Sequence, residues 1–287
     1  MSNMVVRTNV FSLNAHRNMK NVGLEQSRAS NRLASGYRIN TAADDAAGLA
    51  ISETMRAQIR GLDQASRNAQ DAQALIQTTE GGMQEITNML QRVRELTVQA
   101  SNDTNVSVNI QQIAYEVNQL ATEIQSMQGR VEFNTRAVLS LSAGSSNLAF
   151  QIGANENQLL QHDFSSISSA ISSAISVVSS LGIVMSNASG VVNGSDMSSA
   201  IEVIQEQLDN IAAERAQLGA LVNRLDYTMR SLDISSENLS DSESRVRNAD
   251  VAREMMRFTM ANVLQQASVS MLSQANQMPN NLLQLLR

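Results

Sequence analysis

The sequence predicts a mainly α-helical fold, an elongated antiparallel helical bundle or coiled coil built from both chain halves, with a small β-hairpin region in the middle. The chain of 287 residues has one proline and 13 glycines, whereas a many-stranded fold needs many turn residues. Aromatic residues make up 3% and hydrophobic residues 43%, so the apolar residues are mostly Ala, Leu, Ile, Val and Met. In three long segments they recur at alternating steps of three and four residues, the spacing of helix seams.

The two ends of the chain differ in composition from the three long seams. Residues 1–40 carry six basic residues and one acid, Glu25, beside a stripe of valine and leucine. Residues 251–287 are richer in apolar side chains. Both segments are too apolar to stay solvated and too thin to fold alone, so we expect them to pair with each other and with other copies of the chain. The residues expected to carry this polymerisation are Val6, Val10, Leu13, Leu33, Phe258, Leu264, Leu272, Leu283 and Leu286.

The first long seam predicts a helix from about residue 44 to residue 100. Asp44 and Asp45 precede it, where carboxylates complement the helix dipole. Gly81 and Gly82 lie inside it, and a glycine pair there costs roughly 2 kcal/mol relative to an alanine pair, so we expect a soft spot or a local break. Methionines along the seams are interpreted as gap-filling core residues: Met55, Met83, Met89, Met255, Met256 and Met260.

Two further seams follow, over residues 106–131 and 201–239. Ser199 and Glu202 have the spacing of a capping box and predict the start of the third helix. Arg215 occupies a seam position, which indicates either a snorkelling arginine paired with an acid or a residue that fixes helix register. Because each seam needs a partner to bury it, the economical solution is a bundle of long antiparallel helices.

The middle of the chain has a different pattern. Residues 137–141 and 148–152 alternate apolar and polar side chains, and residues 144–147 can turn between them, so this segment predicts a hairpin. Isoleucines and valines among the serines of residues 165–180 predict one short helix. Residues 186–196 are rich in glycine, serine and asparagine and predict a surface loop.

The composition excludes several classes of site. The chain has no cysteine, which rules out disulfides and cysteine nucleophiles. His16 and His162 lack partners at ligand spacing, and common catalytic motifs are missing, so no metal, cofactor or enzymatic activity is expected. A net charge of −6 gives no footprint for nucleic acid. Without an uninterrupted run of about 20 apolar residues, no membrane insertion is expected. The N-terminus lacks a signal-peptide pattern, so secretion would need another route.

Several stretches at both ends resemble the bacterial flagellins, the subunits of the flagellar filament. At the N-terminal side they are residues 32–40 (RLASGYRIN), 42–51 (AADDAAGLAI) and 91–96 (QRVREL). At the C-terminal side they are residues 264–267 (LQQA) and 274–277 (QANQ). Together the similar stretches extend over roughly residues 1–160 and 198–287, so the chain resembles a short flagellin without large outer domains.

The resemblance implies that four segments of the chain occupy different parts of a filament subunit. Residues 1–43 and 250–287 would be inner-tube helices, residues 44–197 the N-terminal rod domain, and residues 198–249 the C-terminal rod helix. It also implies an extracellular filament made by self-polymerisation for swimming motility, and type III export in an unfolded state without a cleaved signal peptide. An export chaperone, cap proteins and hook-junction proteins would be its partners. A chain without cysteine suits such threading, because no disulfide can block it.

Flagellins of this kind are ligands of Toll-like receptor 5, and the resemblance carries that contact to four residues: Gln91, Arg92, Leu96 and Glu116. One departure from the family pattern concerns a turn. Where the family usually reads Phe-Asn-Gly, this chain has Phe133-Asn-Thr135.

Three other interpretations compete with a flagellin. A hook–filament junction protein shares the helical ends, but residues 91–96 and the Leu283–Arg287 ending favour a flagellin. A chemoreceptor-like signalling hairpin needs continuous heptads, which residues 136–196 interrupt. An enzyme with a di-metal site in its bundle needs a Glu-x-x-His or H-E-x-x-H motif, and neither is present.

Overall fold

The computed structural model, which describes residues 8–141, 146–186 and 194–285, confirms the mainly helical fold. Within these residues it has six helices and two two-stranded antiparallel sheets. The helices are α1 (Val10–Ser35), α2 (Ala46–Ala100), α3 (Ser107–Arg130), α4 (Ser165–Ser186), α5 (Gly194–Arg247) and α6 (Val251–Leu285). The strands are β1 (Glu132–Phe133), β2 (Arg136–Ala137), β3 (Asn147–Gln151) and β4 (Leu159–Asp163).

The chain divides into two compact units, one of residues 1–58 with 237–287 and one of residues 59–236. In the first unit α1 packs against α6, and in the second α3 packs against α4. The second unit holds the large apolar core, to which the seams of α2, α3, α4 and α5 all contribute. Fully buried members of this core include Ile76, Met83, Ile86, Leu90, Val117, Ile124, Phe164, Ile171, Ile204 and Leu218.

The two aspartates before α2 accept backbone hydrogen bonds, Asp45 from the first turn of the helix and Asp44 from the segment that precedes it. Asp45 precedes the helix, and its Oδ1 accepts a hydrogen bond from the backbone N–H of Gly48 at 2.9 Å, the geometry of an N-cap. Asp44 Oδ2 accepts from the backbone N–H groups of Thr41 at 3.1 Å and Asn40 at 3.2 Å. The hydrogen bond from Thr41 is the main reason why the pKa of Asp44 lies below its ordinary value.

Of the two alternatives predicted at Gly81 and Gly82, the local break is wrong, because α2 continues through both residues; the soft spot stays a prediction. A Cβ on Gly82 would lie 2.9 Å from Leu139 Cδ1 and 3.1 Å from Val131 Cγ2, whereas a Cβ on Gly81 would meet nothing within 4 Å. Gly82 is therefore a point of close packing, where the chain after α3 lies directly on the helix. Tertiary packing offsets the low helix propensity of the pair.

The predicted capping box is also wrong, because α5 begins at Gly194 and Ser199 already lies inside the helix. The interpretation of Arg215 as a snorkelling, acid-paired side chain is confirmed. Its Nη2 lies 3.7 Å from Glu80 Oε1, which joins α5 to α2, and its side chain is only 26% exposed.

The strand region differs from the predicted single hairpin. Residues 148–152 do form most of a strand, β3, but β3 pairs with β4 from Asn147↔Asp163 to Gln151↔Leu159. β2 pairs instead with β1, Phe133 opposite Arg136. Residues 138–141 do not belong to a strand, and Val138, Leu139 and Leu141 are buried in the core. Of the predicted turn at 144–147, residues 144 and 145 lie outside the described residues.

The predicted short helix at 165–180 is confirmed and extends to Ser186 as α4. Among the described residues, α4 is the one helix with the length and composition to cross a membrane; its serines hide this from a search for an uninterrupted apolar run. Its stripe of Ile167, Ile171 and Val178 is buried in the core, so packing accounts for its apolar side chains. Of the predicted loop at 186–196, residues 187–193 are outside the described part and 194–196 belong to α5.

Candidate functional site

The helix pair α1–α6 has a narrow interior. Among its described side chains, which end at residue 277 in α6, the buried residues are Ala29, Ala261, Ala275 and Glu254. Alanine offers little apolar area, so burying three of them supplies only a small hydrophobic contribution.

Large apolar side chains of the same pair point into solvent instead. On α1, Val10 is 56% and Leu13 62% exposed, and on α6, Val263 is 65% and Met271 63% exposed. We call this set the apolar surface of α1 and α6. It comprises Val10, Phe11, Leu13, Leu24, Val251, Met255, Met256, Met260, Val263, Leu264, Val269 and Met271. An exposed apolar surface this extended is typical of a protein–protein interface.

The predicted polymerisation residues fall into three groups. Val10, Leu13 and Leu264 belong to the apolar surface of α1 and α6. The side chains of Leu33, Phe258 and Leu272 are half-buried on the same helix pair. The other three predicted residues cannot be placed in this way: Val6 and Leu286 lie outside the described residues, and Leu283 lies in α6 without a described side chain.

The interpretation of methionines as core residues is right for Met83, which is fully buried, and wrong for Met255, Met256 and Met260. These three are 47–65% exposed because they lie on the side of α6 that α1 does not cover among the described residues. Sequence reasoning also missed Phe11 and Leu24 as surface residues. Their spacing resembles that of an ordinary buried seam. The sequence therefore does not show that no other described helix covers these side chains.

Polar contacts tie α1 to α6 at both ends of the pair. Near the start of α1, Asn9 Nδ2 donates to Ala275 O at 2.7 Å and Ser12 Oγ donates to Asn276 Oδ1 at 2.8 Å. Near its end, Arg32 lies 3.6 Å from the buried carboxylate of Glu254. Since these contacts are directional, they fix how the helices lie against each other where apolar packing is weak.

The residues of the expected receptor contact meet where α2 lies beside α3. Arg92 Nε donates to Glu116 Oε1 at 2.9 Å, and Arg92 Nη1 donates to Glu95 Oε2 at 3.1 Å. The hydrogen bond to Glu116, followed by that to Glu95, raises the pKa of Arg92. Gln91 is exposed beside them. Leu96 is only 2% exposed, so its side chain packs in the core and is not available for direct contact with a partner.

Outside these two regions, the described residues offer few groups that could bind a metal ion or a small ligand. Over the described ranges, no group of three or more histidine, aspartate or glutamate side chains could hold a metal ion. A groove of about 880 Å³ between α2, α5 and the β3–β4 hairpin is lined mainly by apolar atoms, including those of Leu62, Ile152 and Leu232.

Family models match both halves of the chain. The model described as the bacterial flagellin N-terminal helical region matches residues 6–143, and the bacterial flagellin C-terminal helical region matches residues 201–286. The flagellin of Halalkalibacterium halodurans is 47% identical over 286 residues, which cover 99% of this chain and 100% of that protein. The flagellin of Bacillus subtilis is 40% identical, and the flagellar filament 33 kDa core protein of Treponema phagedenis is 36% identical, with the same coverage.

Solved structures share the fold. The FlgL protein of Bacillus cereus superimposes with a TM-score of 0.54 at 16% identity, over 66% of this chain and 97% of that one. A putative flagellar hook-associated protein of Vibrio parahaemolyticus gives 0.62 at 8% identity, over 71% of this chain and 100% of that one. At such identities the likeness concerns the fold alone.

Proposed function

Because the chain belongs to the bacterial flagellin family, we propose that the apolar surface of α1 and α6 is where one copy binds the next as the flagellar filament assembles. The family is one of structural proteins, so the chain is an extracellular filament subunit and not an enzyme. Full-length identity to flagellins sets it apart from a hook–filament junction protein.

The observation that carries this proposal is the contrast between the interior and the exterior of the helix pair. Its interior is three alanines and Glu254 among the described side chains, while twelve large apolar residues lie outside. A heterologous contact that covers these residues and does not close on itself generates a helical polymer. The filament would serve swimming motility.

A salt-induced polymerisation of the purified full chain tests the proposal, because kosmotropic salts strengthen apolar burial. We expect the double variant Leu13→Gln/Leu264→Gln to remain monomeric at concentrations where the wild type sediments as filaments. The matched control is Ile183→Gln, which changes a 57% exposed side chain on α4 and should polymerise normally. Wild-type polymerisation by the double variant would overturn the proposal.

We also propose that the face formed by Gln91, Arg92 and Glu116 binds Toll-like receptor 5, with Leu96 holding the helix beneath it. The support is geometric: Arg92 is half-exposed and held at 2.9 Å from Glu116, so a charged, pre-ordered side chain is presented to a partner. Ordered arginines are frequent hot spots of binding.

Reporter cells that express the receptor test this second proposal with monomeric protein. Arg92→Ala is expected to lower the response about 30-fold, the loss that corresponds to a hot-spot side chain worth about 2 kcal/mol, and Glu116→Ala to lower it less. Arg67→Ala is the control, since this exposed arginine of α2 lies about 37 Å along the helix from Arg92. Equal responses from all three variants would contradict the assignment.

We further propose that the chain leaves the cell unfolded, through the flagellar type III apparatus and with the help of an export chaperone, and that cap and hook-junction proteins guide its assembly. The support is a chain free of cysteine, in which no disulfide can form. Fusion of the full chain to a hyperstable domain should stop secretion, while fusion to a destabilised mutant of that domain should not. Equal secretion of both fusions would contradict transport in an unfolded state.

A further inference from the structure

Two chain segments lead out of the helix pair α1–α6, and they meet at one point. The segment after α1 and the segment before α6 are joined by two backbone hydrogen bonds, from Arg38 N to Arg247 O at 2.7 Å and from Ala249 N to Gly36 O at 2.9 Å. Tyr37 therefore lies opposite Asn248 in a short antiparallel bridge. All of these residues belong to the same compact unit.

The ring of Tyr37 lies between two arginines. The guanidinium carbon of Arg247 is 4.9 Å from the ring centroid and that of Arg56 is 5.5 Å from it. Arg56 Nη2 also donates to the Tyr37 hydroxyl at 3.1 Å. Both distances are within the range of a cation–π interaction, so one aromatic ring contacts a cation from α2 and a cation from α5.

Each of these arginines also reaches an acid on the other helix. Arg247, on α5, lies 2.7 Å from Glu53 Oε1 on α2, and Arg56, on α2, lies 3.2 Å from Glu243 Oε1 on α5. The side chains of Arg247 and Glu243 are only 11% and 12% exposed, whereas their partners Glu53 and Arg56 are 52% and 36% exposed, so water screens each pair from one side. The ring of Tyr37 thus contacts both arginines of two reciprocal ion pairs, which join the start of α2 to the end of α5.

We propose that Tyr37 is a positioning residue for filament assembly, an inference that rests on the proposed function of the apolar surface of α1 and α6. The buried side chains between α1 and α6 are mostly alanine, so apolar packing holds this helix pair only weakly. The orientation of the pair within its compact unit is therefore set by the segments that join it to α2 and α5. Tyr37, Arg56 and Arg247 fix that junction. A pair held in one direction before docking loses less conformational freedom when it binds.

The test compares Tyr37→Phe and Tyr37→Leu in the full chain. Phenylalanine keeps the ring between the arginines and loses only the hydroxyl acceptor, so its critical concentration for polymerisation should stay close to wild type. Leucine removes the aromatic face and should raise the critical concentration about fivefold to tenfold, the loss expected from one or two cation–π contacts. Hydrogen exchange at the Arg38 and Ala249 amides should accelerate in the leucine variant alone.

A second variant keeps the test decisive if the leucine variant folds poorly. Arg247→Gln removes the cation and retains a side chain of similar length. If Tyr37 acts in part through Arg247, the double variant Tyr37→Leu/Arg247→Gln is less impaired than the product of the two single effects. The inference would be overturned if the increases in critical concentration of the two single variants multiply in the double variant. It would also be overturned if the leucine variant and the wild type have equal critical concentrations. Normal polymerisation of Leu13→Gln/Leu264→Gln would instead refute the proposed function itself.

Discussion

Thr135 adopts a backbone conformation that β-branched residues rarely occupy. It and Asn134 are the central residues of the turn between β1 and β2, with φ of 62° and 51°. Positive φ at both central positions is the geometry of a type I′ hairpin turn, which asparagine followed by glycine suits best. The departure from the usual family pattern is thus a strained residue in an otherwise standard turn.

Replacing Thr135 by glycine should therefore stabilise the protein. We expect Thr135→Gly to raise the free energy of unfolding by about 1 kcal/mol, because glycine carries no Cβ penalty in the left-handed region. Urea denaturation of the full-length monomer measures the change. Asn134→Gly is the control and should have a smaller effect, because asparagine tolerates positive φ; a destabilised Thr135→Gly would show that the threonine side chain compensates its strain elsewhere.

His162 makes stability depend on pH. It is half-buried on β4, its ring packs edge-on against Phe164 at 4.9 Å, and its Nε2 is buried without a hydrogen-bond partner among the described residues. Burial lowers its pKa in the folded protein, and the nearby charges of Glu214 and Asp163 offset this only in part.

The direction of the pH effect follows from that lowered pKa. Below the ordinary histidine pKa of about 6.5 the unfolded chain binds a proton more readily than the folded one, so stability falls as the pH decreases. Compared with His162→Gln, the wild type should lose stability on acidification from pH 7.5 to pH 5.5. Urea denaturation at each pH measures this difference, and parallel curves for the two proteins would contradict the prediction.

At the scale of single elements, neighbouring glycines of α2 have opposite roles. We expect Gly81→Ala to stabilise the protein by about 0.5–1 kcal/mol, the usual gain in a helix interior. Gly82→Ala should destabilise it by about 1–3 kcal/mol, because the new methyl group would press on the buried side chain of Leu139. Thermal unfolding of the two variants side by side gives the comparison, and stabilisation by both would show that the core yields at this point.

Long helices could be predicted from the sequence, and strand pairing could not. The seam of α2 extends over some fifty residues, so its periodicity stands out against local exceptions such as the two glycines. Alternation at Leu148 and Phe150 predicts a strand, but it does not say which segment lies beside it. The partner, β4, carries Leu160 inward and His162 half-buried, a pattern too short to recognise without the fold.

The candidate sites were predictable to different degrees. Arg92 and Glu116 were identified by resemblance, and the structure brings them together across two helices. The exposure of Met255 and Met256 could not be inferred, because a helix seam looks the same whether a neighbour covers it or not. Nor does the sequence show that Leu96, one turn along from Arg92, lies beneath the surface.

At the scale of the whole molecule, the two compact units should differ in resistance to protease. In the monomer, cleavage should begin in α1 and α6, since few apolar contacts hold them, while residues 59–236 survive longer around their large core. In the polymer both ends should be protected. Mass spectrometry of the fragments identifies the cleavage sites; ends that resist equally in the free monomer would mean that they fold without neighbours.

The hydrogen bond from Asn9 to Ala275 joins residues 266 positions apart in the chain. Synthesis proceeds from the N-terminus, so α1 is made long before the helix against which it packs. Their contact forms only after residue 275 has been translated. Until then, α1 is an unpaired apolar segment and the pair α1–α6 does not exist, so a chain at that stage cannot present the finished surface to its neighbours.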